Sequence, residues 1–220
     1  MGHAGVILLS GGLDSVASVF WAQKRYRRLF ALSMMYGQPN VDHELYAAGL
    51  AAKVAGIEDW RRLPLSDALR GASNLTTDRP IVPGRNDVFI SVAAALAVAE
   101  WGGGRIDVIV GANADDAADF PDCRPEFIEA KTNALSLAHG RDVLVVGPWL
   151  HRTKRQILYA VKPEPIALAA CQRSWSCYHA KGPCGSCSAC LKRAAAFAAN
   201  GVPDLTQEAQ MCGGDPHRER

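Results

Sequence analysis

The stretch VILLSGGLDSVASVFWAQ, residues 6–23, constrains the fold of this chain more than any other. Val6, Ile7, Leu8 and Leu9 form a short unbroken apolar run, the pattern of a strand buried on both faces of a parallel sheet. Gly11 and Gly12 interrupt it, and Val16, Val19 and Phe20 then recur at helical spacing. The reading is strand, tight glycine loop, helix. In such a unit the backbone N–H groups converge on one point, the helix N-terminus adds positive potential, and glycine lets an anion approach the backbone. Ser10 and Ser15 add hydroxyl donors, so the loop reads as a phosphate site. No Gly-Lys-Ser/Thr follows, and G-x-G-x-x-G is absent, so it is neither a Walker loop nor the dinucleotide fingerprint. Asp14 fits two roles: a carboxylate that helps hold Mg²⁺ beside phosphates, or a first-turn acid that favours the helix dipole.

Further along, strands and helices alternate. RLFALSMMYGQ reads as a second strand ending in a loop at Gly37, and HELYAAGLAAKVAG as an Ala-rich helix closed by Gly56. DWRRLPLSDA reads as a strand entering a long loop over residues 66–86, and DVFISVAAALAVAEWGG as a buried helix. RIDVIVGAN is a further strand, followed by a polar loop, ADDAADFPDCRP. EFIEAKTNALSLAHG, DVLVVGP and RTKRQILYAV complete the series as helix, strand and short helix. The fold class is therefore α/β, a Rossmann-like and largely parallel sheet with helices on both faces, with ligands expected at the C-terminal ends of its strands. A chain of 220 residues with 49% hydrophobic content suits one such domain with a small appendage. Residues 1–170 are expected to form the α/β domain, 171–200 a metal-binding C-terminal segment, and 201–220 a flexible tail.

A net charge of +2 implies no broad basic surface and disfavours a dedicated nucleic-acid binder. The longest apolar stretch, around Phe89 to Ala99, is too short and Ala-rich for a membrane span, and no basic leader precedes the first strand, so a cytoplasmic location is expected. In a reducing compartment clustered cysteines are metal ligands more often than disulfides. Cys177, Cys184, Cys187 and Cys190 follow C-x6-C-x2-C-x2-C in a Gly- and Pro-containing stretch. Four thiolates at that spacing suit one tetrahedral Zn²⁺ with no open position, hence a structural ion; an iron–sulfur cluster is the alternative. Cys171 reads as a small core residue, Cys212 falls in the tail, and Cys123, between Asp122 and Arg124, reads as either reactive or packed.

SGGLDS, together with YGQ (Tyr36 to Gln38), VPGRN (Val82 to Asn86), FPDCRPEFIEA (Phe120 to Ala130) and SWSCY…PCGSCSACLKRAAAF (Ser174 to Phe197), resembles the 7-cyano-7-deazaguanine synthase family of the N-type ATP pyrophosphatases. The matches run in order from about Val6 to Phe197. The resemblance implies an ATP-dependent ligase that adenylates 7-carboxy-7-deazaguanine and uses ammonia to form the nitrile precursor of queuosine, with structural Zn²⁺, ATP and Mg²⁺. It implies a nucleotide site at Leu9, Ser10, Gly11, Gly12, Asp14, Ser15, Tyr36 and Arg85, with Asp14, Lys154 and Arg124 serving the reaction. Gln38, Asn86, Phe120, Asp122 and Arg124 are implied on the side of the deazaguanine. A homodimer is implied as well.

The sequence departs from the family pattern in places. Pro39-Asn40 stand where the family has Arg-His, and Ala117-Ala118-Asp119-Phe120 where it has Tyr-Ser-Gly-Tyr; Pro163 and Pro165 enrich the segment after Lys154. The ATP and cysteine motifs are intact while part of the implied acceptor pocket differs. That pattern also suits a relative joining the activated carboxylate to another amine, including one on a protein. Another N-type ATP pyrophosphatase, such as a tRNA-modifying enzyme, and a non-enzymatic zinc module are further alternatives; the module leaves SGGLDS unexplained.

Overall fold

A computed structural model describes residues 3–65, 69 and 82–206. Five strands form one sheet in the order β3-β2-β1-β4-β5, every pair parallel: β1 (Ala4–Leu8), β2 (Arg28–Met35), β3 (Trp60–Pro64), β4 (Ile106–Ile109) and β5 (Val143–Val146). The expected Rossmann-like class is what the chain adopts. The order reverses at β1, which pairs with β2 on one side and β4 on the other, so the crevice between the β1 and β4 loops is the switch point where such folds take ligands.

Successive residues of β1 serve opposite faces. Ile7 enters a core with α1 (Leu13–Gln23), α2 (Val41–Val54), α6 (Lys154–Val161), α7 (Pro165–Gln172) and Phe197 of α8 (Ser188–Asn200). Val6 enters a second core with α3 (Arg85–Glu100) and α5 (Pro125–His139). Both faces being covered explains why the strands read as unbroken apolar runs.

Several expectations are refined. The polar stretch after β4 is not all loop: Asn113 caps a short helix α4 (Ala114–Ala117), its side chain accepting from Asp116 N at 3.0 Å, and a 3-10 turn spans Pro121–Cys123. The long loop expected over residues 66–86 lies mostly outside the described residues, and α3 begins at Arg85, so Arg85 and Asn86 are its first helical residues. Pro165 opens α7, where a missing N–H costs nothing. The C-terminal segment is not separate from the main core, because Ala167, Ala170, Cys171 and Phe197 pack in the same cluster as Ile7 and Leu13. Nor does a tail begin at 201: Leu205 N donates to Gln172 O, Asp204 pairs with Arg193, and Val202 and Thr206 are buried. Cys212 lies outside the described residues. Among the described residues no helix is long and apolar enough to cross a membrane.

Candidate active site and cysteine cluster

The glycine loop follows β1 as expected. Leu9 has its side chain in the core, its N–H on Leu32 O and its carbonyl on Ser33 Oγ, so it anchors the loop to β2. Beyond it, Ser10 Oγ lies 3.1 Å from Ser15 Oγ and accepts from Gly12 N, while Ser15 Oγ donates to Gly12 O at 3.0 Å. Gly12 is the N-cap of α1 and supplies no side-chain cap, so the positive end of that helix faces the crevice. Gly11 has φ 81°, and a Cβ there would sit 2.2 Å from Glu44 O; its carbonyl accepts from Trp175 N at 2.8 Å. The steric demand for glycine is therefore strongest at Gly11 and comes from packing on α2. Gly111, after β4, is a second enforced glycine that sequence reasoning missed: a Cβ would meet Ser15 N at 2.9 Å. Its position directly after a strand was the available signal.

Asp14 and Lys154 are 140 residues apart in sequence and meet in the crevice. Lys154 Nζ donates to Asp14 Oδ2 at 2.5 Å and to Asp116 Oδ2 at 3.1 Å. Burial works against the Lys154 ammonium, but the Asp14 and Asp116 charges outweigh it and hold the lysine protonated well above its ordinary range. Burial likewise pushes the Asp14 carboxyl up, against the pull of Lys154. Asp14 Oδ1 is buried and accepts no hydrogen bond. A second lone-pair centre of a buried carboxylate, left open beside a helix N-terminus and a glycine loop, fits a hard cation or a water on one. Asn113, fully buried and missed from sequence, steadies Asp116 through Nδ2 at 2.7 Å; Asp115 Oδ2 accepts from Lys154 N at 2.7 Å. An Asn directly before Ala-Asp-Asp is an N-cap signature that was there to be read.

On the other side of the crevice, Arg85 Nη1 donates to Tyr36 Oη at 2.9 Å, and Tyr36 packs on Phe89. Gln38 faces inward, taking Tyr36 N on Oε1 and giving Nε2 to Met34 O and Glu44 Oε2. Glu44, another residue missed from sequence, is desolvated, which raises its carboxyl above the usual range. It shares the α2 stripe with Ala48 and Ala51, and a carboxylate on an otherwise small apolar stripe was the signal. Asn40, standing where the family has His, donates to Glu44 Oε1 and to Cys177 O at 2.8 Å. Asn86 N donates to Asp122 Oδ2 at 3.1 Å and its Nδ2 to Cys123 Sγ. Cys123 is buried, and desolvation pushes its thiol up to about 12, so of its two readings the packed one holds. Phe120 packs half-buried against the α3–α5 core. Arg124 is exposed, and its Nε donates to Ala117 O at 3.0 Å, closing α4. Thus Tyr36, Gln38 and Arg85 form one group, Asn86 and Asp122 a second, and Arg124 stands apart at the rim.

The sulfurs of Cys177, Cys184, Cys187 and Cys190 all lie within 4.8 Å of one another. Backbone N–H groups aim at them: His179 and Cys184 at the Cys177 sulfur, Cys187 at that of Cys184, Cys190 at that of Cys187. The Ser186 backbone N–H and hydroxyl, with that of Cys187, lower the Cys184 thiol to about 5. Burial pushes the Cys177 and Cys190 thiols up instead, so the fit to a tetrahedral metal ion rests on the convergence of the four sulfurs. The segment also reaches the site: Trp175 N holds Gly11, Cys177 O holds Asn40, the Trp175 ring stacks on His43 at 4.0 Å, and Lys192 of α8 donates to Asp115 O and Asp119 Oδ2.

Fold and site define a Rossmann-like α/β protein with a glycine loop, a helix N-terminus and a buried lysine–carboxylate pair at the switch point of its sheet. Solved structures of like fold include a 4-thiouridine synthetase in complex with RNA and ATP, at TM-score 0.56 and 18% identity over 96% of this chain and 54% of that one. A tRNA thiolase from Methanococcus maripaludis matches at TM-score 0.54 and 18% identity over 94% and 68%. Residues 4–201 match the family model described as queuosine biosynthesis protein QueC. Curated relatives named 7-cyano-7-deazaguanine synthase include that of Acinetobacter baylyi, 37% identical over 92% of this chain and 93% of its own, and that of Rhodopirellula baltica, 37% identical over 90% and 89%. The chain belongs to the 7-cyano-7-deazaguanine synthase family.

Proposed function

We propose that this enzyme uses ATP to adenylate 7-carboxy-7-deazaguanine and converts it, with ammonia, to 7-cyano-7-deazaguanine. The observation that carries the reading is the Lys154–Asp14 pair beside an uncapped helix N-terminus and a glycine loop. A carboxylate is a poor electrophile. Its oxygen attacks the α-phosphorus of ATP, forming an acyl adenylate and releasing pyrophosphate. Ammonia adds to the acyl carbon, AMP leaves, and a proton is lost to give the amide. The amide oxygen attacks the α-phosphorus of a second ATP, releasing pyrophosphate and a proton to give an adenylated imidate, and loss of AMP and a further proton leaves the nitrile.

In this reading Ser10, Gly11, Gly12 and Ser15 hold the triphosphate with their N–H and hydroxyl groups. Lys154 and Arg85 neutralise charge that builds on it. Asp14, through Oδ1, and the phosphates would hold Mg²⁺, which would further neutralise the leaving pyrophosphate. Gln38, Asn86, Phe120 and Asp122 line the side of the base, and Arg124 would swing from Ala117 O to the substrate carboxylate. The cysteines would hold one structural Zn²⁺.

A second reading, that the adenylate passes to a larger amine, is favoured by one observation: Asn40 and Asp119, both departures from the family pattern, each bond the cysteine segment and so reshape that wall of the site. Supplying ATP, Mg²⁺ and the acid, with and without ammonium, and weighing the products by mass spectrometry tests both. Nitrile is the expected product. Pyrophosphate release that stops at the adenylate, or AMP release that stops at the simple amide, supports the second reading, and no pyrophosphate release with ATP bound overturns both.

A further inference from the structure

We propose that Lys192 is a positioning residue that keeps Asp116 paired when Lys154 turns to the nucleotide. The inference rests on the reading above, in which Lys154 serves the triphosphate. Lys154 is 7% exposed and spends two of its three N–H groups on Asp14 and Asp116, so a phosphate that draws Nζ out into the crevice loosens its hold on Asp116. Asp116 does not follow it, because Asn113 binds Asp116 through both its own amide and the Asp116 N–H. A carboxylate fixed in a partly dry site and left by Lys154 with no second cation beside it would hold the lysine back. Lys192 removes that penalty. Its Nζ lies 3.9 Å from Asp116 Oδ1, the oxygen Lys154 does not use.

The placement of Lys192 is built. Its Nζ donates to Asp115 O at 2.9 Å and to Asp119 Oδ2 at 2.8 Å, spanning α4 from its second residue to beyond its end. Asp119 stands where the family has Gly, so this tether belongs to the departures of this chain. Two cations thus share one carboxylate from opposite sides, one mobile in function and one held.

The test is the affinity for MgATP, measured by calorimetry on the metal-loaded chain, in wild type, Lys192→Met, Lys192→Arg, Asp116→Asn and the double variant Lys192→Met/Asp116→Asn. Lys192→Met should weaken binding about ten-fold, and Lys192→Arg should restore most of it. In the Asp116→Asn background the same change should cost less than two-fold, since no carboxylate remains to be stranded. Bound metal should be unaltered throughout. Equal losses in both backgrounds would show that Lys192 merely braces α4 and would overturn the proposal, as would an unchanged affinity in Lys192→Met. A Lys154→Met arm separates the failures: if that variant binds MgATP as wild type does, the role given to Lys154 is wrong and the proposal falls with it.

Discussion

Glycine 11 shows how one residue joins folding to chemistry. With φ 81° and Glu44 O only 2.2 Å from a notional Cβ, Gly11→Ala requires α2 to move and the backbone to strain. It should lower stability by roughly 3 kcal/mol in denaturant melts. Gly12 is in extended backbone, where a Cβ would meet Ser10 Oγ at 3.3 Å. Gly12→Ala should therefore fold, within about 1 kcal/mol of wild type, and lose MgATP affinity instead. The reverse ranking of the two stabilities would contradict the packing described. Cys123 and Cys171 give a second residue-scale prediction. Desolvation raises both thiols to about 12, so alkylation of native protein at pH 8 should leave both peptides unmodified by mass spectrometry. Labelling of either one at the rate of a free thiol would contradict its burial. The sequence at this scale showed which residue types were present but not their partners. Asp14 and Lys154 were both legible as charged members of motifs; that they pair across 140 residues was not, because no periodicity encodes a tertiary contact.

Among elements, the strands and most helices were legible because two-sided burial writes long apolar runs. α4 was not, since four residues carry too little pattern and its one signal, the Asn113 cap, is a single side chain. α8 was hidden behind the cysteines, and its anchor is Arg193. That guanidinium donates to Asp204, Ser174, Ser176, Cys171 O and Gln172 O, and it covers the Phe197 ring at 4.6 Å. Arg193→Met should cost roughly 3–5 kcal/mol, read from thermal or urea unfolding. The pH dependence follows. Burial opposes the Asp204 charge, but Arg193 and Thr206 outweigh it and hold the carboxyl below its usual value. A depressed carboxylate contributes stability above its unfolded pKa of about 4 and loses it as pH falls through the folded value. Asp204→Asn should thus be less stable than wild type at pH 7, and the gap should close progressively below about pH 4. A gap that stays constant down to pH 2 would rule the linkage out.

For the whole molecule, the cysteine segment touches each wall of the crevice: Trp175 at Gly11, Cys177 at Asn40, Lys192 at α4. Removing metal with a chelator should consequently lower the melting temperature and MgATP affinity together, and Zn²⁺ should restore both. Elemental analysis should find about one zinc per chain. Iron–sulfur absorbance would instead assign the other metal. The spacing of the cysteines was plain in the sequence. Their nearness to the glycine loop was not, since it depends on α7 and α8 packing against α1 and α6.

The donor to Gly11 O is Trp175 N, more than 160 residues downstream, which puts completion of the crevice late in synthesis. All five strands lie within residues 4–146, so on the ribosome the sheet can assemble while the cysteines are still inside the exit tunnel. The nascent chain then carries a glycine loop anchored to β2 through Leu9 but without its Trp175 tether. With the function and metal site proposed above, the loop completes only after the last quarter emerges and takes up its metal, so a half-made or metal-starved copy should spend no nucleotide.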